Sequence, residues 1–288
     1  MGAFSQKLLA YSQLMRIERP IGVLLLLYPT LWALWMSSGG RPSSDVFAVF
    51  VLGVMVMRAA GCVINDFADR KVDGDVSRTK TRPLAENRVS PREALGLFLV
   101  LMGVALALVL WLNPALLWLA VVGALLASVY PFTKRFTHLP QLFLGAAFGW
   151  AVPLAYAAHY QALAADCWWL FAATVCWAAA YDTAYAMVDR EDDLKIGVKS
   201  TAILFGRFDR LAIFLFHCAT LLALCTAGVL NGLGGWYKLG LFSAFSLILY
   251  QQWLIRKREP KKCFDAFLNN NWVGAAVLFG LVLDYNLV

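Results

Sequence analysis

What most constrains this chain is the recurrence of apolar runs about as long as a membrane is thick. Nine of them, at 20–38, 45–64, 93–112, 114–131, 139–159, 167–188, 209–230, 236–255 and 268–286, stand between short polar links. A helix needs about 20 apolar residues to cross the ~30 Å hydrocarbon layer. Backbone groups cannot go unpaired there, and runs this long and uniformly apolar do not read as barrel strands. The expected fold is all-α: a polytopic membrane helical bundle of nine transmembrane helices, in a single domain over residues 1–288. The third and fourth runs are parted only by Asn113-Pro114.

Charge orients the bundle. Of the 25 Lys and Arg, Arg41 and Lys238 fall on one side of a nine-span arrangement and Arg58 lies inside the second run. All the others gather on the side of the N-terminus and of the links after runs 2, 4, 6 and 8. Basic links stay in the cytoplasm, which predicts a cytoplasmic N-terminus and an outside C-terminus. The net charge of +7 is then mostly a topology signal, with anionic lipid or substrate phosphate as further beneficiaries, and asks for no nucleic-acid partner. The six cysteines show no C-x-x-C pattern, which argues against a disulfide or metal framework.

Acidic residues are just as unevenly spread. Nine of the 18 carboxylates sit in two windows, NDFADRKVDGD from Asn65 and DTAYAMVDREDD from Asp182. Both contain D-x-x-x-D, as Asp69/Asp73 and Asp189/Asp193, and each lies at the cytoplasmic end of its run. The two copies are about four runs apart, which suggests two four-helix pseudo-repeats plus a ninth helix, with acidic loops at about 65–92 and 182–207.

Residues three, four or seven apart share a helix face. That places Arg58, Asn65, Asp69 and Asp73 on one face and Asp182, Tyr185, Asp189 and Asp193 on another. Carboxylates stacked at i and i+4 repel, so something positive must lie between them. Oxygen ligands without His or Cys suit Mg²⁺, which keeps several waters and takes one or two carboxylates together with phosphate oxygens. A plainer reading makes both windows solvated loops whose acids neutralise neighbouring Arg and Lys. Against it, Asp182 and Tyr185 carry the second face into apolar sequence, where a carboxylate is costly and by default functional. Arg78, Arg82, Lys134 and Lys199 stand close by as candidate phosphate contacts, beside Arg70, Lys71, Lys80 and Arg135.

A diphosphate site opening into a lipid-embedded bundle implies a substrate soluble in water at one end and in the membrane at the other. Polyprenyl diphosphates fit. Ionisation of the allylic C–O bond needs charge stabilisation at the diphosphate and shelter for the cation, for which Phe67, Tyr130, Phe132, Tyr156, Tyr181 and Tyr185 are candidates.

The pattern Asn65-Asp66-x-x-Asp69-x-x-x-Asp73, followed by Asp182-x-x-Tyr185-Ala186-x-x-Asp189-x-x-x-Asp193, resembles the two signatures of the UbiA superfamily of intramembrane prenyltransferases. RIERPIGVLLLLYPTLWALW, RAAGCVINDFADRKVDGDVSRTKTRPL, YPFTKRFTHLPQLFLGAAFGW and GVKSTAILFG are similar to the bacterial members that act on 4-hydroxybenzoate. The likeness runs from about residue 10 to 210. It implies Mg²⁺-dependent transfer of a polyprenyl group to the carbon ortho to the hydroxyl of 4-hydroxybenzoate, for ubiquinone synthesis, at the cytoplasmic face of the inner membrane. Asn65, Asp69, Asp189 and Asp193 would hold the Mg²⁺–diphosphate, supported by Asp66, Asp73 and Asp182. The residues themselves add an acceptor site: Arg58, two helical turns above Asn65, and Arg16, at the start of the first run, suit a benzoate carboxylate. For Arg58 a bridge to Asp182 or to a backbone carbonyl is the alternative. Tyr185 or an Asp would take the phenol proton. Other acceptors (a dihydroxynaphthoate, a homogentisate or haem) and a cation-coupled transporter are the competing readings, and the last three runs are assigned to packing and lipid contact.

Overall fold

The computed structural model describes residues 3–75, 79–160 and 163–287, and among them helix is the only regular structure. The helices are α1 (Ala3–Leu14), α2 (Ile21–Ser37), α3 (Ser44–Asp69), α4 (Pro91–Leu112), α5 (Leu117–Thr133), α6 (Pro140–Gly149), α7 (Ala151–Tyr160), α8 (Ala165–Ile196), α9 (Thr201–Phe205), α10 (Asp209–Leu230), α11 (Gly235–Leu254) and α12 (Pro260–Leu287). Among the described residues six helical segments are long and apolar enough to cross a membrane: Ser44–Asp69, Pro91–Leu112, Pro114–Thr133, Pro140–Tyr160, Thr201–Leu230 and Pro260–Leu287. The chain is thus an integral membrane protein, and large apolar side chains such as Trp111, Leu125, Leu222, Phe242 and Phe279 stay exposed on it.

Local chemistry sets the helix ends. Ser90 opens α4 with a capping box, its hydroxyl accepting from the Glu93 amide while the Glu93 carboxylate accepts from the Ser90 amide, and Pro91 fills the first helical position. Asn113 separates α4 from the next helix by an extended backbone and an Oδ1 that accepts from the Ala115 amide at 2.9 Å. The fifth apolar run, expected as one helix, is two: α6 stops at Gly149 and α7 starts at Ala151. Pro153 is the physical cause, because it has no N–H to give the Gly149 carbonyl four residues back. α8 ends at Gly197, whose φ of +73° suits a residue without Cβ; the Gly197 and Val198 amides both donate to the Asp193 carbonyl.

The core lies between α2, α7, α8, α10, α11 and α12 around Trp32 and Trp177, both fully buried, with ring centroids 5.2 Å apart. Their N–H groups are satisfied by the Gly274 carbonyl at 3.3 Å and the Asn270 Oδ1 at 2.9 Å, so α12 is tied to both α2 and α8. α11 and α12 cross where Gly240 meets Gly280. A Cβ on Gly280 would lie 2.8 Å from the Trp236 carbonyl oxygen and 2.9 Å from the Gly240 Cα, backbone atoms that cannot swing aside. Gly280→Val is expected to cost about 1–3 kcal/mol and several degrees of Tm in detergent micelles. An unchanged Tm would contradict this packing.

Candidate active site

α3 continues past its apolar run to Asp69, so the first acidic motif begins on a helix. Its face does not reach Asp73 as helical spacing predicted. The chain leaves the helix at Arg70 and turns, and Asp73 starts a short 3-10 helix, Asp73–Asp75. Asp66, Asp69 and Asp73 are nonetheless all buried, and each meets a cation. Arg16 reaches Asp66 at 2.5 Å; Arg82 lies 3.0 Å from Asp66 and binds both oxygens of Asp73, at 3.0 and 2.9 Å. Lys134, from the link after α5, pairs with the Asp69 Oδ2. Burial pushes the Asp73 carboxyl above its usual pKa range, with Arg82 opposing and Asp69 and Asp66 adding to the rise.

The second motif stays on α8 throughout, which corrects the expected loop from residue 182. Asp182, Tyr185, Asp189 and Asp193 line the same cavity of about 550 Å³ as Asn65, Asp66, Asp69 and Asp73. Arg16, Arg58, Arg82, Lys134 and Lys199 line it too, so the structure gathers the D-x-x-x-D residues of both windows and part of their predicted bases into one space, while Lys71, Lys80 and the acids Glu191 and Asp192 stay outside it. Arg78 lies outside the described residues. Lys199 donates its main-chain amide to the Lys134 carbonyl at 3.0 Å and its Nζ to the Phe136 carbonyl at 3.4 Å. Arg70 and Arg135 turn to backbone instead: Arg70 donates to the Phe67 carbonyl and sits over that ring, while Arg135 donates to the Ala68 carbonyl and sits over Phe132.

Of the candidate aromatics, Tyr130, Tyr181 and Tyr185 line the cavity, and Phe67, Phe132 and Tyr156 do not. Tyr156 instead donates to Asp166 at the start of α8, at the other end of that helix. Phe264 and Phe267, on α12, line the cavity and pack on Tyr185 at 6.0 and 4.8 Å between ring centroids. Both precede the ninth apolar run as expected at 268–286: α12 already starts at Pro260, and its N-terminal end, not the run itself, supplies this wall. Sequence spacing gave no sign of them, because an aromatic near the start of an apolar run looks the same whether it faces lipid or a cavity.

A second cavity, of about 420 Å³, is almost wholly apolar and runs between α3, α4, α5, α6 and α7. Gly53, Gly61 and Gly103 open onto empty space where larger side chains would fill it. The apolar cavity shares Arg58, Tyr130 and Phe148 with the polar one, so the two meet at these three side chains. Arg58 donates to the Cys62 sulfur one turn along its own helix.

The donor set fits a hard divalent cation. Asp69 is 4% exposed; its Oδ2 accepts from Lys134 and, at 3.3 Å, from the Asn65 amide, while its buried Oδ1 has no protein donor. A buried carboxylate oxygen left without a donor is costly unless another group comes to it. Among the described residues no three His, Cys, Asp or Glu side chains converge as a ready-made chelate.

The model of the UbiA prenyltransferase family matches residues 26–274, which include both acidic motifs and the helices that carry them. The chain belongs to the UbiA prenyltransferase family. UbiA relatives named 4-hydroxybenzoate octaprenyltransferase are 57% identical: one from Alkalilimnicola ehrlichii over 96% of this chain and 94% of its own length, and one from Cronobacter sakazakii over 97% and 96%. Solved UbiA homologues share the fold. The apo structure from Aeropyrum pernix K1 superposes with a TM-score of 0.79 at 24% identity, over 90% of this chain and 97% of that one. A homologue from Archaeoglobus fulgidus, bound to GPP and Mg²⁺, superposes with a TM-score of 0.67 at 19% identity, over 93% and 99%.

Proposed function

We propose that this UbiA-family enzyme transfers a polyprenyl group, octaprenyl by the names of its relatives, from the diphosphate to the carbon ortho to the hydroxyl of 4-hydroxybenzoate in ubiquinone synthesis. It would do so as a nine-span protein of the bacterial inner membrane, in two four-helix pseudo-repeats plus one, with the site at the cytoplasmic face. One observation carries the reading. A polar cavity lined by acids and bases meets an apolar one at Arg58, Tyr130 and Phe148, matching a substrate with a charged head and a hydrocarbon tail.

Asn65 and Asp69 on one side and Asp189 and Asp193 on the other would hold Mg²⁺ with the diphosphate. When bound, Mg²⁺ supplies charge neutralisation for the leaving diphosphate. Lys134, Lys199, Arg82 and Arg78 bind the remaining phosphate oxygens, with Asp66 and Asp73 fixing Arg82 and Asp182 a further supporting acid. As the allylic C–O bond breaks, its electron pair leaves with the diphosphate. The faces of Tyr130, Tyr181 and Tyr185 shelter the allylic cation, and Phe264 and Phe267 keep water from it. Arg58 and Arg16 orient the acceptor carboxylate so that the ortho carbon attacks, and the displaced ring proton passes to Tyr185 or a neighbouring Asp.

Purified protein in lipid should make product from labelled octaprenyl diphosphate only with 4-hydroxybenzoate and Mg²⁺. Preferential use of a dihydroxynaphthoate, homogentisate or haem, or full activity in a chelator, would overturn the assignment.

A further inference from the structure

Outside the cavity, one fully buried carboxylate gathers four donors. Asp209, the first residue of α10, is 0% exposed. Arg190 pairs with its Oδ2, Arg258 donates from Nε at 3.0 Å to both oxygens and from Nη2 at 2.8 Å to Oδ1, and the Arg210 amide donates at 2.6 Å. The cluster does not close on itself. Arg190 also donates to the Ala202 carbonyl of α9 at 2.7 Å, Arg258 to the Arg207 carbonyl at 2.8 Å, and Arg210 to the Arg256 carbonyl at 3.3 Å.

Two consequences follow from where these arginines sit. Arg190 is the neighbour of Asp189 in α8, about 100° round the helix, so fixing one fixes the direction of the other. Arg258 ends the turn that leads into α12, with a φ of +57° that a non-glycine residue holds only when its surroundings impose it. α12 then delivers Phe264 and Phe267 to the cavity wall opposite Tyr185. A single buried acid thus links the helix that carries the second acidic motif to the helix that carries the aromatic wall.

We propose that Asp209 is a positioning residue for the diphosphate site, holding Asp189 and Asp193 in register through Arg190 and the aromatic wall in register through Arg258. The inference rests on the diphosphate-site reading above. It assigns Asp209 no contact with substrate; its effect is on the geometry that metal and diphosphate meet.

The test is Mn²⁺ titration followed by electron paramagnetic resonance, with inorganic diphosphate present, on wild type, Asp69→Asn, Asp209→Asn and Arg190→Lys in detergent micelles. Groups hydrogen-bonded directly to metal ligands change affinity about 10–100-fold; Asp209 acts one residue further back, through Arg190, so Asp209→Asn should weaken Mn²⁺ binding by up to about tenfold and raise the KM for prenyl diphosphate, leaving the KM for 4-hydroxybenzoate unchanged. Arg190 Nη2 alone donates to both Asp209 and the Ala202 carbonyl; Arg190→Lys keeps the charge but ends in a compact ammonium on a shorter stem that does not reach both in the same geometry, and should show a smaller shift in the same direction. Wild-type Mn²⁺ affinity in Asp209→Asn, with only Tm lowered, would reduce Asp209 to a structural pin and overturn the proposal. Where Asp209→Asn does not fold, Arg190→Lys decides: unchanged affinity there overturns it. If wild type and Asp69→Asn bind Mn²⁺ equally weakly, the diphosphate-site reading itself fails.

Discussion

Asp69→Asn should lower the rate of prenyl transfer at least about a hundredfold, equivalent to about 3 kcal/mol of transition-state stabilisation. Three things converge on this carboxylate: the Lys134 ammonium, the Asn65 amide, and an Oδ1 that is buried without a donor. An amide in its place keeps the volume and removes the charge that a divalent ion and Lys134 both answer to. Lys134 is partly exposed, so its loss of a partner is cushioned by water and the fold should persist. The measurement is initial rate against Mg²⁺ concentration, in membranes with matched protein content. Half of wild-type activity at saturating Mg²⁺ would remove Asp69 from the metal site.

Arg58→Met should cut kcat/KM for 4-hydroxybenzoate about a hundredfold, because in the proposed complex it removes the cation that meets the acceptor carboxylate, and truncating one side of such a pair costs about 2–5 kcal/mol. The decisive comparison is an acceptor without a carboxylate, which should lose little. Equal losses on both acceptors would show that Arg58 does not hold the benzoate. Gly22 offers an independent approach to the same side chain. A Cβ there would come within 2.2 Å of the Arg58 guanidinium, the far end of a flexible side chain that can swing away. Gly22→Ala should therefore reproduce part of the Arg58→Met defect with little change in Tm.

Much of the bundle and half of the site could be read from the residues. Apolar length and the two acidic windows mark out the helices, and D-x-x-x-D at Asp189/Asp193 lies on one continuous helix as its spacing implies. The rest depends on tertiary detail that one-dimensional patterns do not carry. The break at Trp150 follows from Pro153 four residues after Gly149, a local effect hidden by an otherwise unbroken apolar run. Asp73 left its predicted helix face because α3 ends at Asp69, and it is Arg82, nine residues on, that receives it. Lys134 on Asp69 and Arg16 on Asp66 join residues 65 and 50 apart, and Phe264 with Phe267 come from the start of a helix that carries neither acidic motif. Periodicity reports which side of a helix is apolar. It does not report whether lipid, a neighbour or a cavity lies against that side.

The ties from α12 back to α2 and α8 also set an order of assembly. Helices leave the ribosome from the N-terminus onward, so α12 arrives after α2 and α8. Until then Trp32 and Trp177 lack the Gly274 and Asn270 oxygens that pair with their N–H groups, and the cavity lacks the wall made by Phe264 and Phe267. A nascent chain that has already inserted both acidic motifs therefore has its charged residues in the membrane but no closed reaction chamber. The wall proposed to shelter an allylic cation is therefore complete only once α12 has packed against α2 and α8, after both acidic motifs are in place.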